Sequence, residues 1–443
     1  MQRKTVGIFI AVALCFLLAA IAQGQPGTAF YKVVTVLPLF LILGLLFLQI
    51  NMLVAALAGG IAAMILGQIG LNGTSQMMLD TVPKMLAITV PILNSAVATA
   101  VFKAGGYTAA LTLVRRRIGG RVEYIGAFIV ILQAAATYMS GIGGGSAMVI
   151  APLAFAAVGV VPQVIAGMSI AAAASFTTSP ASLESGIVSS LSGTPVGEYV
   201  AIMRPFWLLF CAIAVVIAFV GTRRHKTLFS GEESGEMRNL SNAQLWRLTV
   251  PAIFLLVAVI AGPAINTLTG SPLLGPLSYT VITVGLIYLC SQLDLNQSVD
   301  AMVDGSQYIL TRLFSVGLFL TFINIIGETG TFTTIADVVQ SAPSTFVVPV
   351  AVLAGFLIGV PAGAYVGSIL TLVLPVTAAL GFTPLQIGLV AIGVGFGSQL
   401  SLVNITMQAL SYGFQIPIIN VSRGNTPYVG GCMILLLIIA FFA

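Results

Sequence analysis

Residues 176–186 read FTTSPASLESG, which places two threonines, three serines, a proline and a glutamate deep inside a very hydrophobic chain. Backbone N–H and C=O groups left unpaired in hydrocarbon cost several kcal/mol each, so irregular backbone at membrane depth is tolerated only inside protein or around a wet cavity. The stretch therefore predicts a membrane helix over 163–192 that is broken in its middle and lines a polar site.

The composition predicts an all-α polytopic membrane protein. Of the 443 residues, 58% are hydrophobic and 7% are charged, whereas soluble domains carry roughly 25% charged residues. Apolar runs such as 34–50 and 206–220 approach or reach the length that spans a bilayer as a helix. The run over 7–23 follows Arg3 and Lys4 and is interpreted as a first membrane helix rather than a signal peptide. We expect about 11 membrane helices.

Basic residues set the expected topology, because cytoplasmic loops are enriched in Lys and Arg. Clusters at 3–4, 115–121 and 223–247 are all placed inside, which predicts a multi-pass protein of the cell inner (plasma) membrane with a cytoplasmic N-terminus. The predicted units are an extra N-terminal helix (1–32), a first repeat (33–221), a cytoplasmic linker (222–247) and a second repeat (248–443).

An internal repeat links the two halves. Gly145 aligns with Gly367 and Pro162 with Pro384, each at a shift of 222 (367 − 145 and 384 − 162). Glu184 aligns with Asn404 at a shift of 220 (404 − 184). One odd helix precedes the first repeat, so the two repeats are expected to be inverted, as in many secondary transporters.

Four irregular segments are candidates for a midplane site. Re-entrant hairpins are expected with glycine-rich tips at 138–146 and 359–368, together with broken helices over 163–192 and 384–413. Broken helix ends present N–H groups to anions and carbonyls to cations. The predicted substrate-binding residues are Ser140, Gly143, Gly144, Gly145, Ser146, Thr178, Ser179, Tyr365, Gly367, Ser368, Ser398, Gln399 and Asn404. The predicted ion-coupling residues are Thr177, Ser182, Glu184 and Ser401.

Glu184 is the one carboxylate among these residues. A carboxylate at membrane depth can exchange a proton or coordinate Na⁺, so Glu184 is predicted to carry the coupling proton or part of the coupling-ion site. The alternative is a solvated residue near the outer surface with a structural ion pair.

Other functional classes find little support. Four cysteines are scattered singly through apolar segments, and the chain has one histidine. A Ser-His-Asp triad or a His-rich metal site is therefore not expected, and neither is enzymatic activity. The formal charge of +5 comes from loops that flank membrane segments, so no nucleic-acid partner is expected.

The segments MSGIGGGSAMVIAPLAF (139–155), AAAASFTTSPASLESG (171–186) and GFGSQLSLVNITMQAL (395–410) resemble the ion transporter superfamily. That group includes the gluconate permease, citrate–proton symporter and divalent anion–sodium symporter families. The resemblance implies a homodimeric, elevator-like secondary transporter of small organic anions, in which hairpins and broken helices move against scaffold helices.

The resulting functional prediction is a secondary active transporter of a small carboxylate, coupled to H⁺ or Na⁺. Membrane lipid is its expected surrounding, and no cofactor is expected beyond the coupling ion. Two alternatives stay open. One is a Na⁺/H⁺ antiporter of the same superfamily, and the other is the membrane permease subunit of a binding-protein-dependent (TRAP-like) transporter.

Overall fold

The computed structural model describes residues 2–443 except 49, 87–88, 119–120, 142, 181, 226–238, 272 and 365. Within these ranges the chain forms helices joined by short turns, and none of the residues lies in a strand.

The helices of the first half are α1 (Gln2–Ala22), α2 (Ala29–Phe47), α3 (Met52–Gly67), α4 (Leu71–Leu86), α5 (Thr89–Lys103), α6 (Gly106–Ile118), α7 (Val122–Ser140), α8 (Gly143–Val158), α9 (Pro162–Thr178), α10 (Leu183–Ser192) and α11 (Val196–Arg224). Those of the second half are α12 (Asn242–Thr269), α13 (Pro276–Cys290), α14 (Leu295–Glu328), α15 (Thr331–Gln340), α16 (Val347–Ala362), α17 (Val366–Ala379), α18 (Pro384–Ser398), α19 (Ile405–Gly413) and α20 (Ile418–Phe442), with a 3₁₀ turn at Ser344–Phe346.

Local sequence explains where several helices begin and end. Proline stands at the start of both α9 and α18, where its missing N–H costs no hydrogen bond. Thr383 and Gln386 form a capping box that starts α18. Gly141 has a φ of 71° and ends α7 in the left-handed conformation that glycine adopts without strain.

Apolar helices dominate the described part of the chain. By length and composition, four helical segments can cross a membrane: Ala29–Leu46, Val196–Arg224, Ser344–Pro361 and Ile418–Phe442. The pair formed by Leu313–Glu328 and Thr331–Gln340, bent by 57°, makes a fifth. Shorter apolar helices add to these, so the chain is a multi-pass membrane protein. The number of about 11 membrane helices stays a prediction.

The core is built on close helix pairs. α9 packs along α11, α16 packs along α18, and the long α14 packs against α3, α4 and α5. Glycines make the α16–α18 contact possible, since a Cβ at Gly359 would lie 2.6 Å from the Val394 carbonyl oxygen and one at Gly393 would lie 2.7 Å from that of Val352. Small residues allow such close backbone approach between membrane helices.

Gly393→Ala is expected to lower the melting temperature, because the added methyl would meet the Val352 carbonyl and overpacking of this kind costs about 1–3 kcal/mol. Gly285→Ala is the matched control, since nothing lies within 4 Å of a Cβ at that position in α13. The control should melt at or slightly above the wild-type temperature, owing to the better helix propensity of alanine. Melting of Gly393→Ala at the wild-type temperature or above would contradict the close packing.

The helix breaks fall inside the segments where the sequence predicts them. α7 and α8 are separated at 141–142, α9 and α10 at 179–182, α16 and α17 at 363–365, and α18 and α19 at 399–404. Helical structure enters the predicted linker from both sides, since α11 continues to Arg224 and α12 begins at Asn242. The linker residues 226–238 lie outside the described part.

Candidate functional site

The first break, between α9 and α10, is held by side chains from neighbouring helices. The Tyr199 hydroxyl of α11 donates to the Thr177 carbonyl at 2.9 Å. Ser182 caps α10 and also donates to the Ser179 carbonyl at 3.0 Å, and the Ser179 hydroxyl donates to the Tyr138 carbonyl. The Thr177 and Ser179 carbonyls at this break therefore have protein partners.

The second break, between α18 and α19, has the same kind of support. Its carbonyls accept hydrogen bonds from Asn425 (to Gln399, 3.1 Å), Ser422 (to Leu400, 2.8 Å) and Gln408 (to Leu402, 2.8 Å). α20 and α19 therefore satisfy backbone groups that a continuous helix would have paired internally. Side chains from packed helices make irregular backbone tolerable inside a membrane protein.

The turn between α7 and α8 lies against the start of α19. A Cβ at Gly144 would be 2.6 Å from Ile405 Cγ2, and one at Gly143 would be 3.0 Å from Thr406 Oγ1. Only glycine permits this approach, so the N-terminus of α8 and the N-terminus of α19 meet directly.

The turn between α16 and α17 is contacted by both broken helices. The Glu184 carboxylate, at the start of α10, accepts a hydrogen bond from the backbone N–H of Gly367. Asn404, the cap of α19, donates to the Gly363 carbonyl at 2.8 Å and accepts from the Met407 N–H at 3.2 Å. The two positions that align in the predicted repeat thus reach the same turn.

Four helix N-termini therefore meet in two pairs, α8 with α19 and α10 with α17. Each N-terminus carries roughly half a positive charge, so the members of a pair repel each other unless a negative group lies between them. Glu184 supplies that group to the α10–α17 pair. Glycines and neutral side chains form the described part of the α8–α19 pair, and its buried first-turn N–H groups suit an anion.

The structure brings most of the predicted site residues together at these breaks. For Ser140 and Ser368 the backbone alone is described, and Tyr365 lies outside the described residues. The remaining predicted residues are buried: Gly143, Gly144, Gly145, Ser146, Thr177, Thr178, Ser179, Ser182, Glu184, Gly367, Ser398, Gln399, Ser401 and Asn404. Glu184 is 5% exposed, so within this fold it is not a solvated surface residue.

Several hydroxyl hydrogens are already committed to the protein. Thr177 donates to the Ala173 carbonyl at 2.8 Å, Thr178 to that of Ala174 at 2.7 Å, and Ser398 to that of Gly395 at 2.6 Å. These hydroxyl oxygens retain lone pairs for a cation or a donor, whereas the N–H groups at the helix starts are the donors suited to an anion.

Sequence reasoning missed several residues that build the site. Tyr199 and Trp207 fix the end of α9, with Trp207 donating to Ser175 at 2.9 Å. Asn425 of α20 is fully buried against the second break. Asn425 stands two residues from Arg423, in the polar first part of α20, and so resembled part of an interfacial helix end.

Two cavities flank α19. One, of about 440 Å³, is lined by Thr99, Phe102 and Pro152 together with the end of α19. The other, of about 410 Å³, runs between Asn51, Gln408 and Leu402, the last of which lies in the second break. Ser411 lines both. Space for a small molecule therefore lies between the α2, α3 and α5 helices and the broken helix.

Comparison with known proteins yields similarity in fold but not in sequence. No family model matches the chain, and no curated protein matches it in sequence. The fold is similar to the crystal structure of the YdaH transporter of Alcanivorax borkumensis, with 15% identity, a TM-score of 0.44, and coverage of 84% of this chain and 89% of that one. At these values the likeness carries no information on substrate or coupling ion.

Proposed function

We propose that the protein is a secondary active transporter of a small organic anion, coupled to H⁺ or Na⁺. The observation that carries this proposal is the pairing of four buried helix N-termini around the two breaks. One pair holds the Glu184 carboxylate. The other pair, α8 with α19, offers the same positive potential and is suited to the carboxylate of a substrate.

The order and packing of the helices support inverted repeats. The series of two close helices, a broken helix and a long helix occurs as α7 to α11 and again as α16 to α20. Packing is reciprocal between them: α8 contacts α19 and α10 contacts α17, while α9 contacts α20 and α18 contacts α11. Such exchange of partners is expected of two related units facing each other around a shared site.

The cavities beside α19 support an elevator-like mechanism. In this proposal the hairpins α7–α8 and α16–α17 move with the broken helices, and helices such as α2, α3, α5 and α14 form the scaffold of a homodimer. The cavity lined by Asn51 and Leu402 would lead from the cytoplasmic side to the second break. The protein would act in the cell inner membrane, with its N-terminus in the cytoplasm.

A thermal-shift screen of the purified protein against small organic anions tests the proposal. We expect one carboxylate to raise the melting temperature by several degrees in a Na⁺- or pH-dependent way, because a ligand that binds the native state stabilises it by mass action. The neutral amide of the same acid is the control and should have no effect.

If cations or pH alone shift the melting temperature and no anion does, the symporter proposal fails. The Na⁺/H⁺ antiporter would then be favoured, because it requires no anion between α8 and α19. Stabilisation by a separate substrate-loaded binding protein, with no response to the free anion, would favour the permease subunit.

A further inference from the structure

An apolar cleft of about 400 Å³ lies between α6, α7, α8 and α12, away from the helix breaks. Aliphatic and aromatic side chains line it, with Ile129 and Ala252 buried at its base. Tyr124 and Phe128 also line it and are each more than half exposed. The cleft therefore opens at the surface of the helix bundle, where a membrane protein meets acyl chains.

Basic residues lie at one end of this cleft. Arg117 in the last turn of α6 and Arg121 directly before α7 are both exposed. Arg121 precedes the cleft residue Tyr124 by three positions, which is less than one helical turn. Arg116 donates to Asn242 Oδ1 at 2.8 Å, so the end of α6 is fixed against the start of α12.

The electrostatic potential at this end is positive. The segment 106–132 contains four arginines and one carboxylate, that of Glu123, and the segment 239–257 adds Arg247 and no carboxylate. The N-termini of α7 and α12 lie at the same end, and each contributes roughly half a positive charge. The apolar cleft therefore leads to a site that favours an anion.

An anionic phospholipid combines these two properties. From Tyr124 to Leu132 the cleft follows α7 for ~12 Å, close to the ~15 Å that half of a bilayer core provides. Arginine suits phosphate because its planar fork of N–H groups can bind two oxygens at once. Basic pockets between membrane helices on the cytoplasmic side are known to hold anionic lipid headgroups.

We propose that an anionic phospholipid binds with one acyl chain in the cleft between α7 and α12 and with its phosphate at Arg117 and Arg121. The basic end is the side predicted to be cytoplasmic, where the leaflet carries anionic lipid. This inference goes beyond the proposed transport function and depends on neither its substrate nor its coupling ion.

The predicted repeat offers a comparison within the chain. The corresponding cleft between α15, α16 and α17 has a volume of about 30 Å³. Its residues Ala351 and Ala354 correspond at the shift of 222 to Ile129 and Leu132 (351 − 222 and 354 − 222), which line the first cleft. The segment 331–362 has Asp337 and no Lys or Arg. A wide cleft and a basic end thus occur together in the first half, as a site for an anionic lipid requires.

The test measures the melting temperature of the delipidated full-length protein in neutral detergent, without any organic anion substrate. Phosphatidylglycerol is compared with phosphatidylcholine of identical acyl chains and with soluble glycerol 3-phosphate. We expect phosphatidylglycerol to raise the melting temperature by a few degrees with saturation, and the other two to have little effect. Native mass spectrometry, which counts retained lipids, provides a second readout.

Arg117→Gln/Arg121→Gln should weaken the apparent affinity for phosphatidylglycerol at least ~10-fold, because two charges near the phosphate are lost. Lys84→Gln/Arg423→Gln is the matched control, since it removes two charges from exposed positions on α4 and α20, neither of which lines the cleft. The control should keep the wild-type affinity.

Ala110→Phe tests the acyl chain separately, because it places a ring in the cleft and leaves the arginines intact. It should also weaken phosphatidylglycerol binding about tenfold, and it decides the matter if the double arginine variant does not fold.

Equal stabilisation by the two lipids, or an unchanged affinity in either folded variant, would overturn the proposal. Stabilisation by glycerol 3-phosphate would also overturn it, because the site would then bind a soluble phosphate compound. The result is independent of the anion screen, since no candidate substrate is present.

Discussion

Glu184→Gln is expected to lower transport about 30-fold and to remove its dependence on the coupling ion. The carboxylate accepts the Gly367 N–H at the α10–α17 pair of helix N-termini. A hydrogen bond to a charged group contributes about 2 kcal/mol, and each 1.36 kcal/mol corresponds to tenfold in rate. The glutamine amide also places its NH₂ group near the backbone N–H groups, which are donors too. It carries no negative charge, so the positive N-termini of α10 and α17 then face each other without a compensating charge.

The measurement is uptake into proteoliposomes of the anion found by thermal shift, at two pH values and with or without Na⁺. Glu198→Gln is the matched control, because it removes the same charge from the first turn of α11 at an exposed position. The control should transport like the wild type. Unchanged transport by Glu184→Gln, with the wild-type response to pH and Na⁺, would exclude the coupling role of Glu184.

Gly144→Ala is expected to abolish most transport by separating the N-termini of α8 and α19. The new methyl carbon would lie 2.6 Å from Ile405 Cγ2, closer than real carbon contacts allow. The helix starts must then move apart, and the N–H groups proposed to hold the substrate carboxylate no longer converge. Misplacement by about 1 Å can cost ~100-fold where geometry is demanding, so we expect at least a tenfold loss of apparent affinity.

A second substitution at Ile405 separates this cause from general damage. Ile405→Ala removes Cγ2 and should partly restore transport in the Gly144→Ala background, whereas Ile405→Val retains that methyl and should not. Gly430→Ala in α20, where nothing lies within 4 Å of a new Cβ, should be neutral. Equal activity of the two double variants would contradict the steric explanation.

The sequence was most informative where a rule concerns the local chain. Apolar runs predicted the helices, and glycine, proline and clustered hydroxyls predicted all four breaks, because irregular backbone in an apolar chain requires those residue types. It was less informative for amphipathic segments. No prediction covered residues 71–83, which form most of α4, since their polar character resembled a loop. α4 is held by α14, where Asn324 donates to Thr81 at 3.1 Å.

The sequence by itself determined that this is a helical membrane protein and where its helices break, and it predicts that Glu184 and Asn404 occupy equivalent positions of a repeat. Only the tertiary structure decided which helix ends meet, because contacts such as Gly144 with Ile405 or Glu184 with Gly367 join segments more than 180 residues apart. The tertiary structure also showed that Asn425 is a buried residue that supports the second break, rather than an interfacial residue. Burying a polar side chain is tolerated only where partners satisfy it, and here those partners come from other helices, which the local sequence does not reveal.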